Sequence, residues 1–250
     1  YKIDSIIHLA ANLIIEEGQK KPKKYFRNNV LGTKKLLDAC KKTDVKNFIF
    51  SSTAAIYKEG QFKVSENSLI KPKSVYGKTK IKSEFLIKKF AKKNKINYGI
   101  LRYFNIAGAS PSGKIGLINT KSDHLFKNFS IEIIKKKPKL KIYGTNYKTK
   151  DGSCIRDFIH VSDIAEIHYL VLEKINKLNI SKILNCGYNK GTSVLQVAKE
   201  FKRQLSKKVD IIRVNRRKDD LIKIIATNNR LKKFIKWKPK FNNLTKIVKS

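Results

Sequence analysis

Short apolar runs alternate along this chain with longer stretches in which apolar residues recur every three or four positions. Runs of the first kind suit strands buried on both faces, and stretches of the second kind suit the helices that cover them. Ser5-Ile6-Ile7-His8-Leu9-Ala10 reads as a buried strand. Residues 25–41 read as a helix with Val30, Leu36, Leu37 and Cys40 along one side, and Phe48-Ile49-Phe50 as a strand ending in Ser51-Ser52-Thr53. The pattern next predicts a helix over 75–93 with Phe85, Leu86 and Phe90 on its apolar face, a strand over 98–105, and a Gly/Ser/Pro loop over 108–116.

Beyond residue 116 the texture changes. The periodicity predicts a helix over 125–135, a strand over 140–143, and a helix over 161–174 opened by Ser162-Asp163 as its cap. Strand, helix and strand follow over 182–186, 194–205 and 209–214, and a last helix over 228–234. The alternation predicts an α/β protein with a parallel sheet. We expect a nucleotide-type sheet over 1–110 and a smaller mixed α/β lobe over 111–250, with part of 155–175 returning to the first unit. The sequence contains no Met and opens on Tyr1-Lys2-Ile3-Asp4 as if inside an element, so an upstream stretch is expected.

An apolar fraction of 41% and an aromatic fraction of 10% over 250 residues exclude a disordered tail. No apolar run approaches the ~18 residues of a spanning helix, so no membrane role is expected. The charge, +38 from 57 Lys plus Arg against 19 Asp plus Glu, raises the question of nucleic acid. Only eight of those cations are Arg and 49 are Lys, spread along the whole chain with abundant Ile and Asn. Arg is the usual residue of bidentate readout, so the excess reads as compositional drift on solvated faces, with no specific nucleic-acid partner.

Three cysteines with no CxxC pair and four histidines with no metal-binding spacing predict neither a disulfide framework nor a metal site, and fit a reducing, cytoplasmic compartment. The three sequons, at Asn128, Asn179 and Asn243, carry no weight without a visible signal peptide. Gly108 to Lys114 matches GxxxxGK, but Ile115 follows where a magnesium-holding Ser or Thr belongs, and Gly116 and Asn119 argue against an immediate helix. Without a helix N-terminus that loop builds no phosphate site. None of the twelve glycines forms the Gly-x-Gly of a dinucleotide loop.

The informative constellation is Ser51-Ser52-Thr53 at a strand end, then Tyr76-Gly77-Lys78-Thr79-Lys80 at a helix start. Tyr76 and Lys80 are four apart and share a helix face. An ammonium beside a phenol favours the phenolate, so Tyr76 is a candidate general base, with the Thr53 hydroxyl aimed at the same substrate oxygen. Tyr-x-x-x-Lys alone is uninformative in so Lys-rich a chain. The order gives it meaning: hydroxyl-rich strand end, Tyr/Lys helix, then a strand ending in Arg102-Tyr103-Phe104-Asn105.

On these residues the chain resembles the extended short-chain dehydrogenase/reductases, and within them the UDP-hexose 4-epimerases. The matching pieces are Val45 to Ser52, Tyr76 to Lys80, Leu101 to Ala109, and the most diagnostic stretch, Ile142 to Gly152 continuing through Arg156-Asp157-Phe158-Ile159-His160-Val161-Ser162-Asp163. The resemblance implies a partial Rossmann doubly wound sheet, bound NAD, a UDP-sugar substrate, a homodimer, and oxidation and re-reduction at C4 of the hexose. It makes Thr53, Tyr76 and Lys80 the catalytic group. Leu9, Ala10, Ala11, Asn28 and Phe104 would line the cofactor together with them. Asn105, His124, Leu125, Arg156, Arg217 and Asp220 would bind the substrate, the two arginines on the diphosphate.

Some positions depart from the family. Asn12-Leu13 stand where a Lys is usual, His124-Leu125 where Asn-Leu is usual, and Asp219 where Gly is usual. The glycine loop and the ribose-binding acid would lie upstream, so the 250 residues alone are expected to bind NAD poorly and to be inactive. A 4,6-dehydratase of the same fold would resemble Thr-Asp-Glu at the strand end, and Thr53-Ala54-Ala55 lacks its acids. A degenerate binding protein would have had no use for Thr53, Tyr76 and Lys80 together.

Overall fold

Strands whose successive residues are all apolar must be covered on both faces, and the computed structural model, which describes residues 2–118, 124–206, 208–216 and 221–250, shows how. Ser5–His8, Asn47–Thr53, Asn97–Tyr103 and Lys182–Cys186 form a four-stranded, wholly parallel sheet in that order. Side chains alternate across it. Ile49, Leu101 and Leu184 point to one face and pack under Ile164, Ile167, Val171 and Ile175 of the Val161–Leu178 helix. Phe48, Phe50 and Ile100 point to the other, against Leu37 and Cys40 of the Gly32–Cys40 helix and Ile87 of the Val75–Asn94 helix.

The expected return of the chain to this sheet is carried by the Val161–Leu178 helix and continues through the Lys182–Cys186 strand. The remaining strands pair in smaller groups. Lys139–Tyr143 runs parallel to Asp210–Val214, and Asn105–Ala107 parallel to Phe158–His160. Four short strands, Thr192–Ser193, Ile155–Arg156, Lys223–Ala226 and Lys63–Val64, make a mixed sheet. Phe126, Phe129, Leu140, Ile142, Val197 and Phe201 close a separate core in the second half.

The structure differs from the sequence pattern in instructive places. The helix expected over 25–41 is Pro22–Tyr25, a π-helical segment Phe26–Leu31, and Gly32–Cys40. The strand expected over 98–105 stops at Tyr103, because Asn105 leaves the sheet to pair with Phe158. The cap of the Val161–Leu178 helix is His160, whose Nδ1 accepts from the Ser162 amide at 3.0 Å, rather than Ser162-Asp163. The Asp163 carboxylate instead accepts the Lys240 and Phe241 amides and the Tyr188 hydroxyl. Phe85, expected inward, is 62% exposed. Residues 108–118 form turns and irregular chain with no helix, as the exclusion of a phosphate loop there requires. Among the described residues no helix is long and apolar enough to cross a membrane.

Gly99 tests how tightly the covering helix sits. A Cβ added there would lie 2.6 Å from Ile49 Cδ1 and 3.0 Å from Val171 Cγ1. Gly99→Val is expected to lift the helix off the sheet and cost about 1–3 kcal/mol. Urea denaturation checks it, and an unchanged midpoint would contradict the packing described.

Candidate functional site

Parallel strands deliver all their carboxyl ends to one edge, and ligands of open α/β sheets bind outside that edge. Three chain segments meet there. The Ser5–His8 strand runs out into Leu9, Ala10 and Ala11, and Asn47–Thr53 ends on Thr53, whose sheet neighbour is Tyr103. The Val75–Asn94 helix starts close by. Ser74 caps it by accepting the Gly77 amide at 3.0 Å.

Gly77 is what lets this helix come so near. A Cβ on it would stand 2.5 Å from the Ala55 carbonyl oxygen, in the turn that follows Thr53. The approach sets the Thr53 hydroxyl near enough to the Tyr76 phenol to lower its pKa. Thr53 Oγ1 also accepts the Ala55 amide at 3.1 Å, which fixes its rotamer. Burial raises the Tyr76 pKa and the Thr53 hydroxyl lowers it, with burial dominant. This is the reverse of the shift expected from Lys80: desolvation is the largest cause, and the Lys80 charge is not among the causes.

Lys80 is buried one turn further along, with Nζ 4.3 Å from the centroid of the Phe50 ring. Burial lowers its pKa to about 8, against the pull of Glu84, which raises it. His8, whose ring centroid lies 5.7 Å from that of Phe50, has its pKa lowered to about 4 by burial and then by the Lys80 charge. His8 is therefore neutral, and its Nε2 bonds Thr33 Oγ1 at 3.0 Å. Among the described residues the Lys80 ammonium has no carboxylate within salt-bridge distance and no hydrogen-bond acceptor.

Several contributors carry no sequence signal of their own. Tyr103 stands beside Tyr76 and donates to His168 Nε2 at 2.5 Å. His168 Nδ1 is used on the Ile164 carbonyl at 2.8 Å, which fixes the tautomer. Asn29, buried in the π-helical segment, grips the backbone of Asn12, accepting its N–H at 2.8 Å and donating to its carbonyl at 2.9 Å. It donates also to Thr79 Oγ1 at 3.0 Å, so one amide ties the 9–14 loop to the Tyr76–Lys80 helix.

The other expected residues are spread more widely. Asn28 is exposed next to this clamp and donates to Asn29 Oδ1 at 3.1 Å. Leu9 is 59% exposed, whereas Phe104 is buried with Ala54, Ile56 and Tyr57. Asn105 is exposed immediately after the sheet edge. The His124 ring, its pKa lowered by burial, donates from Nε2 to the Ile106 carbonyl, and Leu125 opens the Leu125–Ile133 helix. Arg156 is half-buried and donates to the Ile155 carbonyl at 3.0 Å. Arg217 and Asp220 lie outside the described residues. Arg216, which the sequence pattern did not single out, stacks over Tyr147 at 4.3 Å. Among the described residues no cluster of His, Cys, Asp and Glu could hold a metal ion.

Comparison with known proteins gives this arrangement a context. The model of the NAD dependent epimerase/dehydratase family matches residues 1–187. A UDP-glucose 4-epimerase of Halalkalibacterium halodurans is 36% identical over 249 residues, covering 99% of this chain and 75% of that protein. The crystal structure of UDP-glucose 4-epimerase from Brucella ovis in complex with NAD is 32% identical, with a TM-score of 0.92 over 98% of this chain and 75% of the other. The enzyme from Bifidobacterium longum in complex with NAD+ and UDP is 28% identical, with a TM-score of 0.91 over 99% and 75%.

Replacing Asn29 with Ala removes the clamp and leaves the Asn12 amide and carbonyl unpaired. We expect a stability loss of about 1–3 kcal/mol. Hydrogen exchange is the specific readout: the Asn12 amide should lose its protection while the Phe48 and Phe50 amides keep theirs. Retained protection at Asn12 would show that the loop is held by something else.

Proposed function

The chain belongs to the NAD dependent epimerase/dehydratase family, and from that membership we propose that it is an NAD-dependent enzyme that epimerises a UDP-hexose at C4. It interconverts UDP-glucose and UDP-galactose through a transient 4-keto sugar. Within the structure, the observation that carries this reading is the Thr53 hydroxyl set beside the Tyr76 phenol at the sheet edge, with the Lys80 ammonium one turn on.

The residues fit the cofactor. A buried ammonium whose near neighbours are an aromatic face and a neutral imidazole needs acceptors, and the two hydroxyls of a ribose provide them. NAD, when bound, supplies the hydride acceptor and donor for C4. Tyr76 takes the C4 hydroxyl proton at its phenolic oxygen and returns it after the keto sugar has turned over. Thr53, placed beside Tyr76, orients the sugar hydroxyl and passes its proton. Lys80 holds the ribose and offsets, with its positive charge, the rise that burial imposes on the phenol. Leu9, Ala10, Ala11, Asn28 and Phe104 line the cofactor in this reading.

Residues 1–110 with the returning segment serve the cofactor, and the rest serves the nucleotide-sugar. Asn105 touches the sugar, and His124 and Leu125 meet the nucleotide through backbone, since the His124 ring is committed to Ile106. Arg156, Arg217 and Asp220 hold the UDP part, the guanidinium groups donating to the diphosphate in a fork. Cys40, Cys154 and Cys186 are buried and none is in a disulfide, which suits a reducing cytoplasm. The homodimer implied by the resemblance finds support in a groove where Pro22, Phe26, Val75 and Ile81 lie among Lys78, Thr79 and Lys82, with exposed Phe85 three residues beyond.

Two tests follow, on the purified protein. In UDP-galactose to UDP-glucose conversion, Tyr76→Phe should lower kcat about 10²–10⁴-fold with little change in KM, and Thr53→Val should cost less. Near-normal turnover in Tyr76→Phe would remove the base assignment. Phe85→Glu should shift sedimentation from dimer to monomer, and an unchanged dimer would place the interface elsewhere.

A further inference from the structure

Beneath the Tyr76–Lys80 face lies a charge pair that the chemistry above does not use. Glu84 follows Lys80 by one helical turn, and Tyr76, Lys80 and Glu84 form one i, i+4, i+8 row. The Glu84 side chain is wholly buried, and so is that of Arg102, at 2% exposure. Arg102 grips the carboxylate in a fork, Nε to Oε1 at 3.1 Å and Nη2 to Oε2 at 2.8 Å. Ser52, the residue before Thr53, donates to the same carboxylate at 2.5 Å. The remaining arm of Arg102 reaches the Tyr57 hydroxyl at 3.1 Å and the Glu66 carbonyl at 3.2 Å. Tyr57 passes the connection to Asn185 Oδ1 at 2.6 Å, and Asn185 Nδ2 to the Val64 carbonyl at 3.0 Å.

One pair thus fastens the helix of Tyr76 and Lys80, the strand end of Thr53, the neighbouring strand, and the 57–66 loop. Burying two charges costs desolvation that apolar side chains of similar volume avoid, so stability alone gives no reason for a fork at this point. A fork does supply direction: two parallel bonds fix both the angle and the depth of the helix relative to the strand. We propose that the Arg102–Glu84 pair is the positioning device of the active site, setting Tyr76 and Lys80 in register with Thr53 and keeping Lys80 charged. The inference rests on the function proposed above for the roles of those three residues.

The electrostatic half follows from what surrounds Lys80. From the first strand it faces His8, which is neutral, and from the second the Phe50 ring. On its own helix the acid beside it is Glu84, the charge that holds its pKa up against burial. Tyr76, one turn back, has Tyr25 and Tyr103 near it, both with phenols pushed up by burial and so neutral. Glu84 itself faces Arg102 and Tyr98 from the third strand.

Glu84→Gln keeps the shape and the acceptor while removing the charge. With lysine labelled by ¹³C at Cε, and the Lys80 signal identified by its loss in Lys80→Met, the Lys80 titration midpoint should fall by about one to two pH units. The basic limb of the kcat profile should move to lower pH with it, while KM for the UDP-sugar stays unchanged. Arg102→Lys keeps the charge without the fork, and should lower kcat about tenfold or more at constant KM. A lower melting temperature with the Lys80 midpoint, the basic limb and kcat all unmoved would reduce the pair to ordinary structure and overturn the proposal. The titration needs no substrate. A protein that failed to epimerise UDP-glucose would therefore lose the proposed function, while the Lys80 midpoint would still decide the role of Glu84.

Discussion

Everything at this site depends on one constraint: parallel strands cannot turn straight back, so each must cross over and start again from the same side. The carboxyl ends of Ser5–His8, Asn47–Thr53 and Asn97–Tyr103 therefore lie side by side, and whatever polar groups the chain places there become neighbours. Residues 8, 53 and 103 are far apart in sequence and adjacent in space for that reason alone. The apolar residues behind them pay the entropy of ordering this edge. Ile49 and Leu101 anchor one face and Phe50 and Ile100 the other, all at or near zero exposure.

On that edge, close approach matters more than strength of contact. Gly77 lets a helix start within contact of the Ala55 carbonyl, and Thr53 and Tyr76 meet because of it. Buried polar groups are then satisfied one by one. Asn29 serves Asn12 and Thr79, His168 serves Tyr103, and Glu84 serves Ser52 and Arg102. Each of these would be costly unpaired, and each pairing fixes the angle of an element that carries a functional group. The Asp157 carboxylate does the same for the second half. It accepts the amides of Tyr188, Asn189 and Ala226 and so joins the loop after the Lys182–Cys186 strand to the Lys223–Ala226 strand.

Sequence by itself determined the elements that are long and periodic, and the order of chemistry along them. The strand runs at 48–50 and 182–186 and the helices read over 75–93 and 161–174 repeat a local pattern, and local patterns need no partner to be read. The i, i+4 relation of Tyr76 and Lys80, and the hydroxyl run at 51–53, were legible on the same ground. Tertiary structure decided what depends on neighbours distant in the chain. Strands of two residues, such as Lys63–Val64 and Ile155–Arg156, are too short to show a period, and exist because another strand lies alongside. Phe85 repeats with Leu86 and Phe90 in an apolar pattern, yet faces outward, since a pattern says which residues are apolar and not which side is covered. The direction of the Tyr76 shift, the tautomer of His168 and the fork on Glu84 likewise had no sequence signal. Desolvation and hydrogen bonding are set by atoms that only folding brings within a few ångströms.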